Sequence, residues 1–247
     1  MFKLDRRTAL TAGVLTVAGL GLGACETGGG GAASVEGEMS MGADDAPVTV
    51  VEYASITCPH CAAWSENVGP AFKARYVDTG LVRFVFRELP TAPGPVAIAG
   101  FLTARCAGED QYFPMIEAMM RNQRAIVMGN PRQELLNIAR TAGMSEAEFD
   151  ACVTDEQALS AMQDRIDEAT QRQVPGTPAF YVNDVLVGSG EVPLSDLAEA
   201  IDPLLGDRAP APLSDAAPTA PATDAAAQAP AADVSASEAP ASTPAES

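Results

Sequence analysis

Residues 48–61 have the sequence VTVVEYASITCPHC, in which an apolar, β-branched run leads directly into two cysteines separated by two residues. The run is typical of a strand, and the residues after it favour a helix whose first turn suits Pro59, because no N–H is needed there. Such a junction points free helical amides at Cys58, and a protonated His60 adds positive charge. Both effects favour the thiolate, which is the form that carries out disulfide exchange. The motif therefore predicts a redox pair in which Cys58 attacks and Cys61 resolves.

The N-terminus has the features of an export signal. Arg6-Arg7 precedes the apolar stretch 9–22, which resembles a twin-arginine signal and is short for a bilayer span. Residues 22–25 resemble a bacterial lipobox, so we expect cleavage before Cys25 and lipid attachment to its thiol. The alternatives are a short membrane anchor and an unmodified Cys25 after ordinary cleavage, although an exposed thiol is a liability in an oxidising compartment. We expect a location in the periplasm or cell envelope, with a lipid anchor to a membrane.

The chain contains five cysteines, and an odd number in an exported protein requires an explanation. Assigning Cys25 to a lipid leaves four. The closely spaced Cys58 and Cys61 form one pair, which leaves Cys106 with Cys152 as a structural disulfide. The alternative is that these last two are small buried hydrophobic residues, but an oxidising compartment favours the disulfide.

Charge and composition restrict the partners and divide the chain. The net charge of −18 opposes contact with nucleic acid and with anionic lipid headgroups, so membrane contact is expected through the lipid alone. Glycine-rich and Ala/Pro-rich stretches cannot bury enough apolar area to offset the entropy lost on ordering. The expected segments are an export signal over 1–24, a flexible Gly-rich tether over 25–44, one folded domain over 45–206 and a disordered, acidic tail over 207–247.

The predicted elements of the folded domain alternate between strand and helix in a characteristic order. Strands are expected over 48–53 and 81–87, a kinked helix over 64–76, further helices over 95–106, 112–122, 131–142, 145–152, 158–173 and 193–205, and a hairpin over 179–182 and 185–188. A strand-helix-strand unit followed later by a hairpin and a helix is a thioredoxin-like α/β layout. The helices over about 93–173 are then an insertion domain between the βαβ and ββα halves.

Over nearly all of residues 45–206 the chain resembles the DsbA family of exported disulfide oxidoreductases. The resemblance rests on Cys58-Pro59-His60-Cys61, whose central dipeptide that family favours, on Gly176-Thr177-Pro178, and on Glu52, six residues before the first cysteine. It implies a cis-proline loop opposite the active site, in which Thr177 and Pro178 bind an extended substrate. It also implies a buried acid at Glu52 that relays a proton to Cys61. The alternatives are a trans proline that begins a strand and a solvent-facing carboxylate on an edge strand.

These features together predict an enzyme that passes its Cys58–Cys61 disulfide to the thiols of newly exported proteins and needs no cofactor. The resemblance implies that a membrane quinone-linked partner reoxidises it. An isomerase or reductase on the same fold stays open, because Thr177 also precedes the proline in isomerase relatives. A soft-metal (copper) binding module is a weaker alternative. No structural zinc or cysteine-protease site is expected, since the chain has one histidine and no second CxxC motif.

Overall fold

A mixed five-stranded sheet lies at the centre of residues 37–213, the part of the chain that the computed structural model describes. Its strands are β1 Met39–Met41, β2 Val48–Ala54, β3 Val82–Glu88, β4 Ala179–Val182 and β5 Val185–Ser189. The order across the sheet is β1-β3-β2-β4-β5, with β2 and β3 parallel and the other pairs antiparallel. Every residue of the central strand β2 is buried, which explains its almost unbroken apolar sequence.

Helices follow the sheet strands and fill the region between β3 and β4. They are α1 Pro59–Asn67, α2 Gly69–Phe72, α3 Gly94–Cys106, α4 Glu109–Arg121, α5 Gln123–Met128, α6 Pro131–Thr141, α7 Glu146–Val153, α8 Glu156–Gln171 and α9 Leu194–Leu205, with a π-helical segment at Lys73–Val77. The helix predicted over 64–76 begins earlier, at Pro59, and is interrupted at Val68, one residue before Gly69-Pro70. The fold is therefore the predicted thioredoxin-like α/β arrangement with a helical insertion, α3 to α8.

Local capping explains several helix boundaries of the insertion. The side chain of Asn130 accepts a hydrogen bond from the backbone of Gln133 at the start of α6. Ser145 and Glu148 form a reciprocal capping box at the start of α7. Cys106, the last residue of α3, is joined by a disulfide to Cys152 in α7, at a sequence separation of 46. This covalent link lies within the helical insertion and ties two of its helices together.

The N-terminal boundary of the domain differs from the prediction. The tether was expected to run to residue 44, whereas Met39–Met41 forms an edge strand antiparallel to β3. Glu38, just before it, accepts hydrogen bonds from Arg83 at 3.2 Å and Arg87 at 2.7 Å. A three-residue strand is too short to leave a periodic pattern, and the arginines that hold it lie more than forty residues later. The folded domain therefore begins before residue 39.

An ion cluster around a fully buried carboxylate connects β3 with the helical insertion. The Glu88 side chain has 0% exposure and accepts hydrogen bonds from Arg105 Nε at 2.6 Å and Arg105 Nη2 at 2.8 Å. Tyr112 Oη donates to the same carboxylate at 2.9 Å. Arg105 also donates to the backbone carbonyl of Gly37 at 2.7 Å. These contacts compensate for the desolvation of Glu88 and join the sheet, α3 and α4.

The predicted export signal, the lipidation site Cys25 and residues 214–247 of the predicted tail lie outside the described residues. Residues 37–210 form one unit, and 211–213 belong to a second. Within residues 37–213, no helix combines the length and the hydropathy that crossing a bilayer requires.

Candidate active site

Cys58 lies at the junction between the sheet and the first helix. β2 ends at Ala54, and α1 begins at Pro59, so Cys58 is the residue that caps α1 and has an extended backbone conformation. Pro59 occupies the first turn, where its missing N–H leaves no hydrogen bond unmade. Cys58 is 5% exposed and Cys61, one turn later, is 0% exposed, and both are free thiols. The strand, the cap and the helix thus bring the two sulfurs to one end of α1.

The surroundings of Cys58 favour its thiolate. A hydrogen bond from Cys61 makes the largest contribution to lowering the pKa of Cys58, which falls from 9.0 to about 5. Burial opposes this shift, whereas hydrogen bonding from Thr177 and from the backbone amides of Cys61 and His60 supports it. At neutral pH Cys58 is therefore ionised and nucleophilic.

Cys61 has the opposite tendency. Burial raises the pKa of Cys61 far above its ordinary value, and the hydrogen bond to Cys58 and the nearby charge of Glu52 raise it further. The backbone N–H of Ser55 donates to its sulfur at 3.5 Å, which opposes the rise in pKa only in part. The two cysteines thus differ strongly in pKa, since Cys58 is a thiolate at neutral pH whereas Cys61 stays protonated.

His60 is exposed and paired with a distant carboxylate. Its Nδ1 lies 2.8 Å from Oε1 of Glu191, and this hydrogen bond is the largest cause of its raised pKa. The sequence interpretation gave the imidazole and the helix amides the task of ionising Cys58. In the structure a hydrogen bond from the Cys61 thiol contributes most to the lowered pKa of Cys58, and the backbone amides of Cys61 and His60 add to it. The imidazole and Cys58 also interact electrostatically, and the imidazole is paired with a carboxylate that no local motif reveals.

Glu52 lies in the interior of β2 and lines an apolar cleft. It is 4% exposed, and burial, followed by the charge of Cys58, raises its pKa from 4.5 to about 8. The cleft has a volume of about 540 Å³ and separates α1 and α2 from α4. Its apolar lining includes Trp64, Phe72, Phe84, Phe113 and Met120. The alternative of an edge carboxylate facing solvent does not hold, because β2 is paired on both sides, with β3 and β4.

The loop before β4 faces Cys58. The Thr177–Pro178 peptide bond is cis, so the alternative of a trans proline at the start of a strand is not what the structure contains. The Cys58 sulfur lies 3.3 Å from the backbone carbonyl oxygen of Thr177, to which it donates a hydrogen bond when it is protonated. The carbonyl of Pro178 accepts from the backbone N–H of Gly190 at 2.8 Å, which joins this loop to the segment after β5. Thr177, one of the two residues expected to bind substrate, therefore lies directly beside the Cys58 sulfur.

Sequence reasoning missed several hydrogen bonds that hold the site together. Gln123 at the start of α5 donates from its side chain to the backbone carbonyl of Thr57 at 2.8 Å. The Thr57 hydroxyl in turn donates to the carbonyl of Thr91 at 2.9 Å. Trp64 donates from Nε1 to the carbonyl of Val192 at 2.9 Å. The short helix α5 was not predicted, and these partners are 34 to 128 residues apart in sequence, so no local pattern reveals them.

Comparison with known proteins supports the thioredoxin-like fold. The model of the family described as "Thioredoxin" matches residues 34–203. A "Putative protein-disulfide oxidoreductase" of Rickettsia bellii is 29% identical over 170 residues, covering 68% of this chain and 64% of the relative. One from Rickettsia typhi is 30% identical over 175 residues, covering 69% and 63%. The chain thus spans less than two thirds of the length of these curated relatives.

Solved structures extend the comparison. Wolbachia pipientis alpha-DsbA1 superimposes with a TM-score of 0.63 at 23% identity, covering 71% of this chain and 94% of that one. Oxidised BdbD from Bacillus subtilis gives a TM-score of 0.64 at 23% identity, covering 71% and 96%. At this level of identity the similarity establishes the shared fold.

Proposed function

Since the chain belongs to the thioredoxin family, whose model covers residues 34–203, we propose that it is a thiol–disulfide oxidoreductase that introduces disulfides into exported proteins through Cys58 and Cys61. The observation that carries the proposal is the difference between the two thiols. The pKa of Cys58 falls to about 5, whereas burial keeps Cys61 protonated. A stabilised thiolate stabilises the reduced form, which makes the oxidised form a good donor of disulfides.

The reaction begins with the Cys58–Cys61 disulfide. A substrate thiolate attacks the Cys58 sulfur, the Cys58–Cys61 bond breaks, and Cys61 leaves with the electron pair. A second substrate thiolate then attacks the substrate sulfur of the mixed disulfide and releases Cys58 as a thiolate. Two substrate thiols have become a disulfide, and the enzyme holds the two electrons as a dithiol. Cys58 is the better leaving group because its pKa is low.

Glu52 supplies a proton at the step in which Cys61 leaves. Burial, the largest cause of its raised pKa, favours the protonated carboxyl at neutral pH, and Glu52 and Cys61 interact electrostatically. Transfer of that proton neutralises the buried Cys61 thiolate as it leaves and moves the negative charge to the Glu52 carboxylate. The cleft that Glu52 lines offers a path by which the carboxyl regains a proton from solvent.

The Thr177–Pro178 loop is proposed to bind the substrate backbone. The Thr177 carbonyl oxygen lies 3.3 Å from the Cys58 sulfur, so an extended peptide bonded to Cys58 lies within reach of this loop. We propose exported, cysteine-containing proteins as substrates and a membrane quinone-linked partner for reoxidation. The expected lipid at Cys25 would hold the domain at the membrane where such a partner resides.

The deciding experiment measures the equilibrium of the Cys58–Cys61 pair with glutathione and the oxidative refolding of reduced, unfolded ribonuclease A. The wild-type chain is expected to be an oxidant in both assays. Cys58→Ser abolishes refolding activity, whereas Cys61→Ser accumulates a mixed disulfide through Cys58. A strongly reducing potential, as for a reductase or isomerase kept reduced in the cell, refutes the oxidase assignment while leaving disulfide exchange intact.

A further inference from the structure

Glu191 approaches the redox motif from the far end of the sequence. Its Oε1 lies 2.8 Å from Nδ1 of His60, although 131 residues separate the two. His60 is in the first turn of α1, and Glu191 follows β5. The side chains are 66% and 44% exposed, so the pair lies on the surface. The proposed mechanism gives this carboxylate no task.

The backbone on both sides of Glu191 is fixed by the active site itself. The N–H of Gly190 donates to the carbonyl of Pro178 in the cis-proline loop at 2.8 Å. The carbonyl of Val192 accepts from Trp64 Nε1 in α1 at 2.9 Å, and Val192 is itself buried. Glu191 is therefore held between the loop proposed to bind substrate and the helix that bears the cysteines. Because the backbone on both sides of Glu191 is anchored, its side chain is held within reach of His60. An ordinary surface ion pair lacks such anchoring of its backbone.

The sign of the effect on Cys58 follows from the charges. Two ionisable groups act on the imidazole, Glu191 from the segment after β5 and Cys58 from the start of α1. An imidazolium alone attracts the Cys58 thiolate and favours the reduced pair. An imidazolium bonded to a carboxylate has no net charge as a pair, so this attraction is weakened.

We propose that Glu191 is a positioning residue that holds the His60 imidazolium against the segment after β5, offsets its positive charge beside Cys58, and makes the redox pair a milder oxidant. This inference rests on the proposed function and deepens it, because it assigns a residue that limits the strength of the motif. The CPHC sequence alone therefore overstates how oxidising this protein is.

The test uses the full mature chain without a histidine tag, so that the single histidine gives one unambiguous NMR titration. Glu191→Gln is expected to lower the pKa of His60 towards its ordinary value. It is also expected to lower the pKa of Cys58, followed by thiolate absorbance, by about half a unit, the size of effect usual for an exposed ion pair. The equilibrium with glutathione at about pH 6, where the imidazolium persists in the variant, then shifts about 3-fold towards a more oxidising pair.

Two further variants separate position from net charge. Glu191→Asp keeps a carboxylate and is expected to restore most of the His60 pKa. Asp184→Asn removes an equally exposed carboxylate, bonded to Arg172 at 3.0 Å, at the turn between β4 and β5. It changes the net charge by the same amount and is expected to leave both pKa values unchanged.

Three results overturn the proposal. These are an unchanged His60 pKa in Glu191→Gln, a Cys58 pKa that stays constant or rises while that of His60 falls, and an equal shift of the Cys58 pKa in Asp184→Asn. Neither titration requires a protein substrate. A wild-type chain that fails to oxidise ribonuclease A therefore refutes the proposed function and leaves the assignment of Glu191 to be judged by its own measurements.

Discussion

Glu52 is a carboxyl whose ionisation conflicts with its apolar surroundings. Its carboxyl lines an apolar cleft from the central strand, and burial, then the Cys58 charge, raises its pKa to about 8. A carboxyl whose pKa is higher in the folded than in the unfolded state binds more protons when folded. Its stabilising contribution is fully present below pH 4.5 and is lost as the pH rises through about 8.

The first prediction concerns Glu52→Gln in the oxidised protein, where Cys58 carries no charge and burial remains as the cause of the shift. The free energy of unfolding of the wild type falls as the pH rises above about 4.5, by about 1.4 kcal/mol for each pH unit over which only the folded state holds the Glu52 proton. Glutamine keeps the shape and cannot ionise, so this dependence disappears and the variant is the more stable protein at about pH 8. Urea unfolding across this range measures both curves, and parallel curves would show that Glu52 titrates normally.

At the scale of elements, α3 packs unusually close to the loop that leads to the cysteines. A Cβ added at Gly100 would overlap Cδ1 of Ile56 and lie 3.3 Å from Sδ of Met119. Both neighbours are fully buried, so neither side chain has free space to move into. Gly100 lies in the interior of α3, where the backbone conformation itself does not require glycine. Glycine is required because the side chains of Ile56 and Met119 approach its backbone so closely.

We accordingly predict that Gly100→Ala destabilises the protein. Overpacking lowers the free energy of unfolding by about 1–3 kcal/mol, whereas the better helix propensity of alanine raises it by at most about 1 kcal/mol. Gly94→Ala, in the first turn of the same helix, is the control because no atom lies within 4 Å of the added carbon. Urea unfolding of both variants decides the matter, and an equal stability for the two would contradict the packing argument.

The edge strand β1 depends on a buried ion pair with β3. The side chains of Glu38 and Arg87 are 6% and 8% exposed and lie 2.7 Å apart. In Glu38→Gln, Arg87 keeps its contacts with Tyr53 at 2.8 Å and Glu168 at 3.4 Å. Because these contacts still compensate part of its charge, we expect the free energy of unfolding to fall by about 3 kcal/mol, the lower end of the range for breaking a buried pair. Asp44→Asn is the control, because Asp44 is fully exposed and 4.0 Å from Arg83. Thermal and urea unfolding that rank the two variants equally would refute this role of Glu38.

Prediction from sequence succeeded where the determining contacts are local. The continuous apolar run of β2, the capping box at Ser145 and the hairpin turn at Asn183-Asp184 each depend on residues within a few positions. It failed for β1 and α5, which have three and six residues. Elements of that length are stabilised by partners elsewhere in the chain, such as the arginines that bind Glu38 and the Thr57 carbonyl that accepts from Gln123.

The candidate site divides in the same way. The residues of the redox motif are contiguous in sequence, so their chemistry could be predicted from their spacing alone. They are Cys58, Pro59, His60 and Cys61. Glu191 could not be found, because its role depends on a contact made only when the segment after β5 returns to α1. The relative size of the contributions to the Cys58 pKa could not be predicted from the sequence either, because it depends on which hydrogen-bond donors contact the sulfur in the fold.

For the molecule as a whole, the redox state of one pair of thiols is coupled to the stability of the entire domain. In the reduced form the folded pKa of Cys58 is about 5, against 9.0 for an ordinary thiol. A group whose pKa is depressed on folding contributes stability that is fully present above the unfolded value and is lost as the pH falls through the folded one. The oxidised form has no thiol at this position and lacks the contribution.

The reduced protein is therefore predicted to unfold at a higher urea concentration than the oxidised protein at neutral pH, with the difference shrinking as the pH falls from about 9 towards 5. The comparison is best made in the Glu52→Gln background, because the titration of Glu52 opposes that of Cys58. The Cys106–Cys152 disulfide must stay intact in both states, which mass spectrometry verifies. Cys58→Ser, with no thiolate to stabilise, should lose the pH dependence of the reduced form. An oxidised form that is equally or more stable at neutral pH would mean that folding does not favour the Cys58 thiolate, and the oxidase proposal would lose its thermodynamic basis.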